Sequence, residues 1–246
     1  MIGMLTWSSP ENRRKRPQRI TLAEQRILGV PFLCGEILRY PRTPEVLLRG
    51  RVRAAGRQLG RSGVTRVVLP EAFAYGDLLE QRGVAPVSTV PLRRGLAADL
   101  VRAHLAARGI TAGARLAVAG TRPSGELVRT VTELALSNRY LLLSLPYGAE
   151  PLAHQLRREY GVSLVLTSDR RQLEEAEVLL LFDPRPDLPE GGDSVLRLYD
   201  EAAPLPPLLL PPALEQALPA GCSRPQLLAA LTEAGAVRWN QITVGR

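Results

Sequence analysis

Residues 115–183, RLAVAGTRPSGELVRTVTELALSNRYLLLSLPYGAEPLAHQLRREYGVSLVLTSDRRQLEEAEVLLLFD, decide the fold of this 246-residue chain. Apolar runs alternate there with amphipathic helical patterns. The four runs are RLAVAG (115–120), RYLLLSL (139–145), VSLVLTS (162–168) and EVLLLFD (177–183). A continuous apolar run, rather than an alternating one, indicates a strand that is buried on both faces. Strands joined by helices imply right-handed crossovers, so we predict a mostly parallel sheet with helices on both faces.

The same alternation continues on both sides of this stretch. Upstream it gives strands at 64–70 and 84–89, each followed by a helical pattern, and downstream it gives a strand at 194–200. We therefore predict an α/β core over residues 64–200, preceded by an N-terminal basic helical extension and followed by a C-terminal helix-strand appendage.

The turn after the strand at 115–120 contains Gly120 and Gly125 at the two ends of the sequence GTRPSG. This strand, turn and helix resemble, in degenerate form, the dinucleotide-binding turn of nicotinamide-dependent Rossmann proteins, and the resemblance implies a Rossmann-like fold. Arg122 and Pro123 occupy the middle of the turn, where proline removes a donor N–H. No Asp or Glu stands at 144–146, where the resemblance places the acid that binds the ribose. The sequence therefore argues against NAD and leaves the cofactor unknown.

The same turn is suited to an anion. Thr121, Ser124 and the N–H of Gly125 lie at a helix N-terminus, and Arg122 adds a charged donor. We name Gly120, Thr121, Arg122, Ser124 and Gly125 as candidate anion-binding residues. The alternative is that Ser124 is the N-cap of the helix, with the next two residues in its first turn.

Acidic residues at the C-terminal ends of predicted strands are the candidate catalytic groups. Glu71 and Asp183 hold such positions, and they are candidate general bases or ligand clamps if they face each other. His104 and His154 lie in the middle of predicted helices, which favours structural roles. The sequence contains no GxSxG, Walker or HExxH motif, and it has no paired metal-ligand spacing, so no metal site is predicted. Whether the protein is an enzyme is left open.

The net charge of +8 comes from the N-terminal quarter of the chain. Residues 1–66 contain 14 Lys and Arg against 4 Asp and Glu, whereas the remainder contains 18 against 20. We predict a flexible basic tail over 1–19 and a helical segment over 20–63. Within that segment, residues 20–32 read as a short helix followed by an extended piece, residues 34–40 as an edge strand and residues 44–62 as a helix.

The helix at 44–62 carries Arg49, Arg53 and Arg57 at four-residue spacing, which places them on one face. Such a face is either solvated or a contact for phosphate or nucleic acid. Aromatic residues make up only 4% of the chain, which argues against a base-stacking platform for single-stranded nucleic acid.

The C-terminal part, residues 201–246, begins with a proline-rich connection over 203–212 that cannot be a central strand or helix. It is either a surface tether or a polyproline ligand. A helix capped by Ser223 follows, and then a strand over 237–244 that returns to the sheet edge or pairs with the N-terminal region.

Composition bounds the location and class of the protein. No apolar window is long enough for a membrane span, and the charges near the start follow a short apolar piece, the reverse of a secretory signal, so we expect a soluble cytoplasmic protein. Cys34 and Cys222 indicate neither a disulfide framework nor a zinc site. The preference for Arg over Lys is typical of a GC-rich, bacterial-type genome. The oligomeric state is not indicated.

Three functions are compatible with these features. The first is binding of an anionic small molecule or nucleotide at the 120–126 turn, without redox chemistry. The second is a divergent nucleotide-dependent oxidoreductase or transferase that uses Glu71 or Asp183. The third is a nucleic-acid-binding or scaffold protein that acts through its basic N-terminus.

Overall fold

The computed structural model describes residues 1–8, 22–40, 42–110, 113–189 and 191–245. Within these ranges the protein is a mixed α/β structure with two five-stranded sheets, each mostly or wholly parallel, and a two-stranded antiparallel ribbon. The predicted α/β class and mostly parallel pairing are confirmed. Among the described residues, no helix is long and apolar enough to cross a bilayer.

The elements are as follows. The strands are β1 (Ile2–Ser8), β2 (Leu22–Ile27), β3 (Val30–Leu38), β4 (Arg66–Val68), β5 (Ala85–Pro86), β6 (Arg115–Ala119), β7 (Tyr140–Ser144), β8 (Val165–Leu166), β9 (Val178–Leu181), β10 (Val195–Arg197), β11 (Leu208–Leu209) and β12 (Thr243–Val244). The helices are α1 (Glu45–Arg61), α2 (Gly76–Glu80), α3 (Val90–Gly95), α4 (Ala97–Ala107), α5 (Gly125–Ser137), α6 (Ala149–Tyr160), α7 (Arg170–Glu174), α8 (Pro212–Glu215) and α9 (Arg224–Glu233), with a 3-10 turn at Trp239–Gln241.

The chain forms two compact units. Unit 1 comprises residues 1–89 and 210–242, and unit 2 comprises residues 90–209 and 243–246. This differs from the predicted single core over 64–200. Strands β4 and β5 join the sheet of unit 1, and α9 belongs to the same unit, so the predicted N-terminal extension and much of the C-terminal appendage are parts of one folded body.

The observed units differ from the predicted core mainly because strand β1 belongs to the sheet of unit 1. It lies at the centre of the unit 1 sheet, parallel to β3 on one side and to β4 on the other, and it buries Met4 and Leu5. The predicted tail over 1–19 therefore begins with a core strand, because the apolar residues of IGMLTWS are covered on both sides. Residues 9–19 of that tail lie outside the described residues.

Strands β2 and β3 form a hairpin, whereas the sequence analysis predicted a short helix over 20–32 and an edge strand over 34–40. The turn consists of Leu28 and Gly29, with φ of 48° and 83°, and positive φ at both central residues is the geometry of a tight hairpin. Strand β3 is internal because it pairs with both β1 and β2. Helix α1 confirms the helix predicted over 44–62, and it packs Leu48, Val52 and Leu59 into the core of unit 1.

Unit 2 has the strand order of a Rossmann-like sheet. Its order is β10-β9-β6-β7-β8, with all neighbouring pairs parallel. Strands β7 and β8 are added on one side of β6, and β9 and β10 are then added on its other side. Right-handed crossovers place α5 and α6 on one face and α7 on the other. Leu173 of α7 accordingly packs with Ala117 and Leu179.

The end of the chain is less regular than predicted. Residues 237–244 were expected to form one strand, but they contain the 3-10 turn and the two-residue strand β12, which pairs with β11 in an antiparallel ribbon. Strand β11 lies within the proline-rich segment 203–212, where it occupies two residues that are not proline. The predicted helix after Ser223 is confirmed as α9.

Candidate anion-binding site at the carboxyl edge of unit 2

The five parallel strands of unit 2 all end at one edge of the sheet. Strands are added in opposite directions from β6 and from β9, so the boundary between these two strands is the topological switch point of the sheet. In open α/β sheets the switch point borders the ligand crevice. Gly120 follows β6, and Asp183 stands two residues after β9. Two of the residues that the sequence analysis singled out therefore meet at this position.

The side chain of Asp183 lies over the turn that follows β6. Its Oδ2 accepts hydrogen bonds from the backbone N–H and the hydroxyl of Thr121, both at 2.9 Å, and its Oδ1 accepts one from Arg94 at 2.9 Å. A Cβ placed on Gly120 would be 3.3 Å from Asp183 Oδ2 and 2.9 Å from Leu127 Cδ1. The space above Gly120 is therefore filled by the chain itself.

Arg94 is the cation of the switch point. It extends from α3, donates to the carbonyl of Phe182 at 2.8 Å as well as to Asp183, and lies 3.9 Å from the carboxylate of Glu126. Its Nε is buried without a hydrogen-bond partner among the described residues. Arg94 was not predicted as a site residue because an arginine within an ordinary helical pattern has no distinguishing spacing.

Arg185 contacts the same turn through a hydrogen bond to its backbone. Its guanidinium is buried and donates to the carbonyl oxygens of Gly120 at 2.9 Å and Ser144 at 3.3 Å, and it forms a two-point pair with Asp187 at 2.6 and 2.8 Å. The hydrogen bonds of this pair raise the pKa of Arg185 and lower the pKa of Asp187. Arg185 thus ties together the ends of β6 and β7. This role was not predicted because the residue lies in a segment whose sequence is typical of a loop.

Ser124 is the N-cap of α5. Its hydroxyl oxygen accepts the backbone N–H of Leu127 at 3.2 Å, so Ser124 has the capping role that the sequence allowed, and anion binding at the turn stays a prediction. The cap serves the third residue of the helix, and the N–H groups of Gly125 and Glu126 point out of the helix end. Arg122 is exposed beside them. A Cβ on Gly125 would meet nothing within 4 Å, so close packing does not require a glycine there.

An open cavity of about 450 Å³ lies at the ends of β7 and β8 and the start of α6. This volume falls within the range of small-molecule sites. Its lining includes Leu145, Tyr147, Leu166 and Thr167. Gly148, which also lines it, lies against the ring of Pro123, since a Cβ on Gly148 would be 2.8 Å from Pro123 Cγ. The cavity therefore adjoins the 120–126 turn.

Glu71 lies in unit 1. It is exposed after β4 and borders a separate cavity of about 340 Å³, together with Phe73, Ser223 and Arg224. Because Glu71 and Asp183 belong to different units, a joint action of the two carboxylates stays a prediction. Among the described residues, no group of three or more His, Cys, Asp or Glu side chains is placed to hold a metal ion.

The switch point of unit 2 does not fit a nicotinamide dinucleotide. The pyrophosphate of that cofactor needs close approach to backbone N–H groups after the first strand. Here the Thr121 N–H is taken by the negatively charged Asp183, and Pro123 supplies no N–H. The end of β7 carries the buried Ser144 where such a cofactor needs an acid for its ribose.

No family model matches the chain, and no curated protein matches it. Among solved structures, it is similar to L-tryptophan dehydrogenase from Nostoc punctiforme, with 15% identity, a TM-score of 0.31 and coverage of 62% of this chain and 44% of that one. It is also similar to D-lactate dehydrogenase from Lactobacillus jensenii, with 11% identity, a TM-score of 0.27 and coverage of 62% and 56%. A third is shikimate 5-dehydrogenase from Listeria monocytogenes, with 12% identity, a TM-score of 0.26 and coverage of 63% and 59%. The chain spans about half the length of these proteins.

Proposed function

We propose that this protein binds an anionic small molecule, of mononucleotide size or smaller, at the carboxyl edge of unit 2 and without redox chemistry. The observation that carries the proposal is the contact between Pro123 and Gly148. It joins a helix N-terminus bearing an exposed arginine to a cavity large enough for an organic group.

The anionic group is assigned to the start of α5. The N–H groups of Gly125 and Glu126 and the helix dipole favour negative charge there. The charge of Arg94 is offset by Asp183 and by the more distant Glu126, so Arg122 is the cation left to face the ligand. An exposed guanidinium beside free helix-end N–H groups suits a phosphate or a carboxylate.

The organic part of the ligand is assigned to the cavity. Leu145 and Leu166 supply apolar surface, and the side chain of Tyr147 is 78% exposed at the rim, where its ring is available for stacking. Thr167, Ser168 and Glu150 add polar groups to the lining, and polar groups placed among apolar ones orient small ligands.

The filled switch point limits the size of the ligand and its chemistry. Asp183 occupies the route by which a dinucleotide crosses from one half of a Rossmann sheet to the other. Both of its oxygens accept hydrogen bonds from the chain, so it is held as a structural acceptor rather than as a general base. These contacts favour binding over nicotinamide chemistry.

The test is a thermal-shift panel on the full chain with phosphate, AMP, ATP, NAD, NADP, S-adenosylmethionine and small carboxylates. A ligand at 100 times its Kd stabilises the folded state by about 2.7 kcal/mol. We expect a nucleoside monophosphate or another small ligand with one anionic group to raise the Tm. We also expect the shift to be lost in Arg122→Ala and reduced in Tyr147→Ala.

Matched controls are Arg139→Ala, an exposed arginine just before β7, and Tyr160→Ala, an exposed tyrosine at the far end of α6. Both should keep the full shift. A larger shift with NAD or NADP than with any mononucleotide would overturn the size limit. The absence of a shift with every compound would overturn the proposed function.

A further inference from the structure

Helix α1 of unit 1 carries a row of exposed arginines on the side opposite the core. Arg53, Arg57 and Arg61 are exposed, and none of them makes an ion pair with another described residue. Arg49 continues the row and lies 3.8 Å from Glu45, the only acidic residue of the helix. Successive members are four residues apart, which corresponds to about 6 Å along the helix axis.

The surroundings of the row are open and basic. Gly50, on the same side of the helix, has nothing within 4 Å of a Cβ position, so a partner can approach the backbone there. Arg82, which follows α2, lies beside the helix, since a Cβ on Gly56 would be 3.4 Å from its Cβ. The exposed arginines of α1 and Arg82 thus form one patch, which we call the α1 basic patch: Arg49, Arg53, Arg57, Arg61 and Arg82.

The charge of the whole protein is concentrated in this unit. Unit 1 contains 17 Lys and Arg against 9 Asp and Glu, whereas unit 2 contains 15 against 15. The positive potential that attracts a polyanion therefore comes from unit 1 alone. Unit 1 also includes five basic residues outside the described ranges, namely Arg13, Arg14, Lys15, Arg16 and Arg19.

We propose that the α1 basic patch binds the phosphate backbone of a nucleic acid without reading its sequence. This goes beyond the proposed function, because it concerns a different unit and a different ligand. Guanidinium groups bind phosphate oxygens in a two-point geometry, and a row of them that winds gradually around a helix, about 6 Å apart along its axis, can contact successive phosphates of a strand. The core-facing side of α1 is packed in unit 1, and its exposed large apolar side chains, Val46 and Leu47 in the first turn, are too few for the apolar face of a membrane-surface helix.

The experiment measures binding of the full chain to a fluorescent 30-base-pair DNA duplex by anisotropy, from 50 to 200 mM salt. The test variant combines Arg53→Gln, Arg57→Gln and Arg61→Gln. We expect its affinity at 50 mM salt to fall by about tenfold or more, and the slope of log K against log salt to become shallower by about 3. Replacing the same three arginines with Lys keeps the charge and should keep most of the slope.

The matched control removes three exposed arginines from unit 2, through Arg139→Gln, Arg157→Gln and Arg171→Gln, and should leave the slope unchanged. Circular dichroism and melting of each variant report folding. Equal loss in the control, no difference between the test variant and the parent, or no binding by the parent would each overturn the proposal. Binding to anionic vesicles or polyglutamate but not to the duplex would assign the patch to another polyanion and overturn it as well.

Discussion

Asp183 accepts two hydrogen bonds of 2.9 Å from Thr121, one from its backbone N–H and one from its hydroxyl. An acidic side chain therefore occupies the place at which a dinucleotide-binding sheet leaves a backbone N–H for phosphate. With Arg94 on its other oxygen, the carboxylate links α3, the end of β9 and the turn after β6. The degenerate glycine pattern of this turn has a structural counterpart, because the side chain of Asp183 fills the space beside Gly120.

Replacing Asp183 with Ala should destabilise unit 2. The change leaves Arg94 without its nearest carboxylate and Thr121 without an acceptor, and unsatisfied partners of this kind cost about 1–3 kcal/mol. Urea denaturation measures the free energy of unfolding. Asp193→Ala, an exposed acid in the same unit, is the matched control and should change it by less than about 0.5 kcal/mol. Equal effects of the two substitutions would show that the switch-point contacts do not stabilise the fold.

Substitution of Arg185 should lower the free energy of unfolding more than substitution of most other arginines of unit 2. Arg185→Ala removes the buried donor of the Gly120 and Ser144 carbonyls, so we expect a loss of about 1–3 kcal/mol of unfolding free energy. Arg185→Lys should fall between Ala and the parent, because a single ammonium group cannot serve two carbonyls and Asp187 in the planar geometry of a guanidinium. Denaturation of the three proteins in urea gives the order. A lysine variant as unstable as the alanine variant would contradict it.

The sequence predicted the architecture of unit 2 because its signals are local. Continuous apolar runs such as EVLLLFD are typical of buried strands, and β6, β7 and β9 are largely buried as predicted, whereas β8 at the edge of the sheet is exposed. The helices between these runs favour parallel pairing. Ser124 was also identifiable as a cap, since a serine before a glycine and a glutamate is a common helix start. The strands, their order of occurrence and the capped turn therefore followed from residues close together in the chain.

Unit 1 was not predictable in the same way because its contacts are distant in sequence. Strand β1 reads as part of a basic tail until β3 and β4 cover it on both sides, and α9 joins the unit from more than 100 residues away. For the same reason, the roles of Arg94 and Arg185 at the site could not be predicted. Each gains its role only when β6 and β9 lie side by side.

The two glycines of the 120–125 turn should respond in opposite ways to alanine. Gly120→Ala places a Cβ 2.9 Å from Leu127 Cδ1 and 3.3 Å from Asp183 Oδ2, so overpacking should cost about 1–3 kcal/mol. Gly125→Ala enters open space in the first turn of α5, where alanine favours the helix by up to about 1 kcal/mol. Thermal denaturation of both variants measures the difference. If Gly125→Ala lowered the Tm, the prediction from the open space around this position would be wrong.

The pair between Asp187 and Arg185 should make the stability of unit 2 depend on pH in the acid range. The hydrogen bonds from Arg185 lower the pKa of Asp187 in the folded state below its unfolded value of about 3.9. The carboxylate therefore stabilises the fold fully above the unfolded pKa, and this stabilisation is lost as the pH falls through the folded pKa. Because the Asp187 side chain is 58% exposed, the effect should be below about 1 kcal/mol.

Urea denaturation at pH 7, 5, 4 and 3 tests this dependence by comparing the parent with Asp187→Asn. We expect the parent to be the more stable protein at pH 7 and 5, and the difference between the two unfolding free energies to narrow as the pH falls below the unfolded pKa, because protonation progressively removes the charge of the aspartate. Asp193→Asn provides the matched control, since that exposed acid has no arginine at hydrogen-bond distance among the described residues. A difference between parent and Asp187→Asn that is the same at pH 3 and pH 7 would mean that the charge of Asp187 does not contribute, and that Arg185 is held by the Gly120 and Ser144 carbonyls alone.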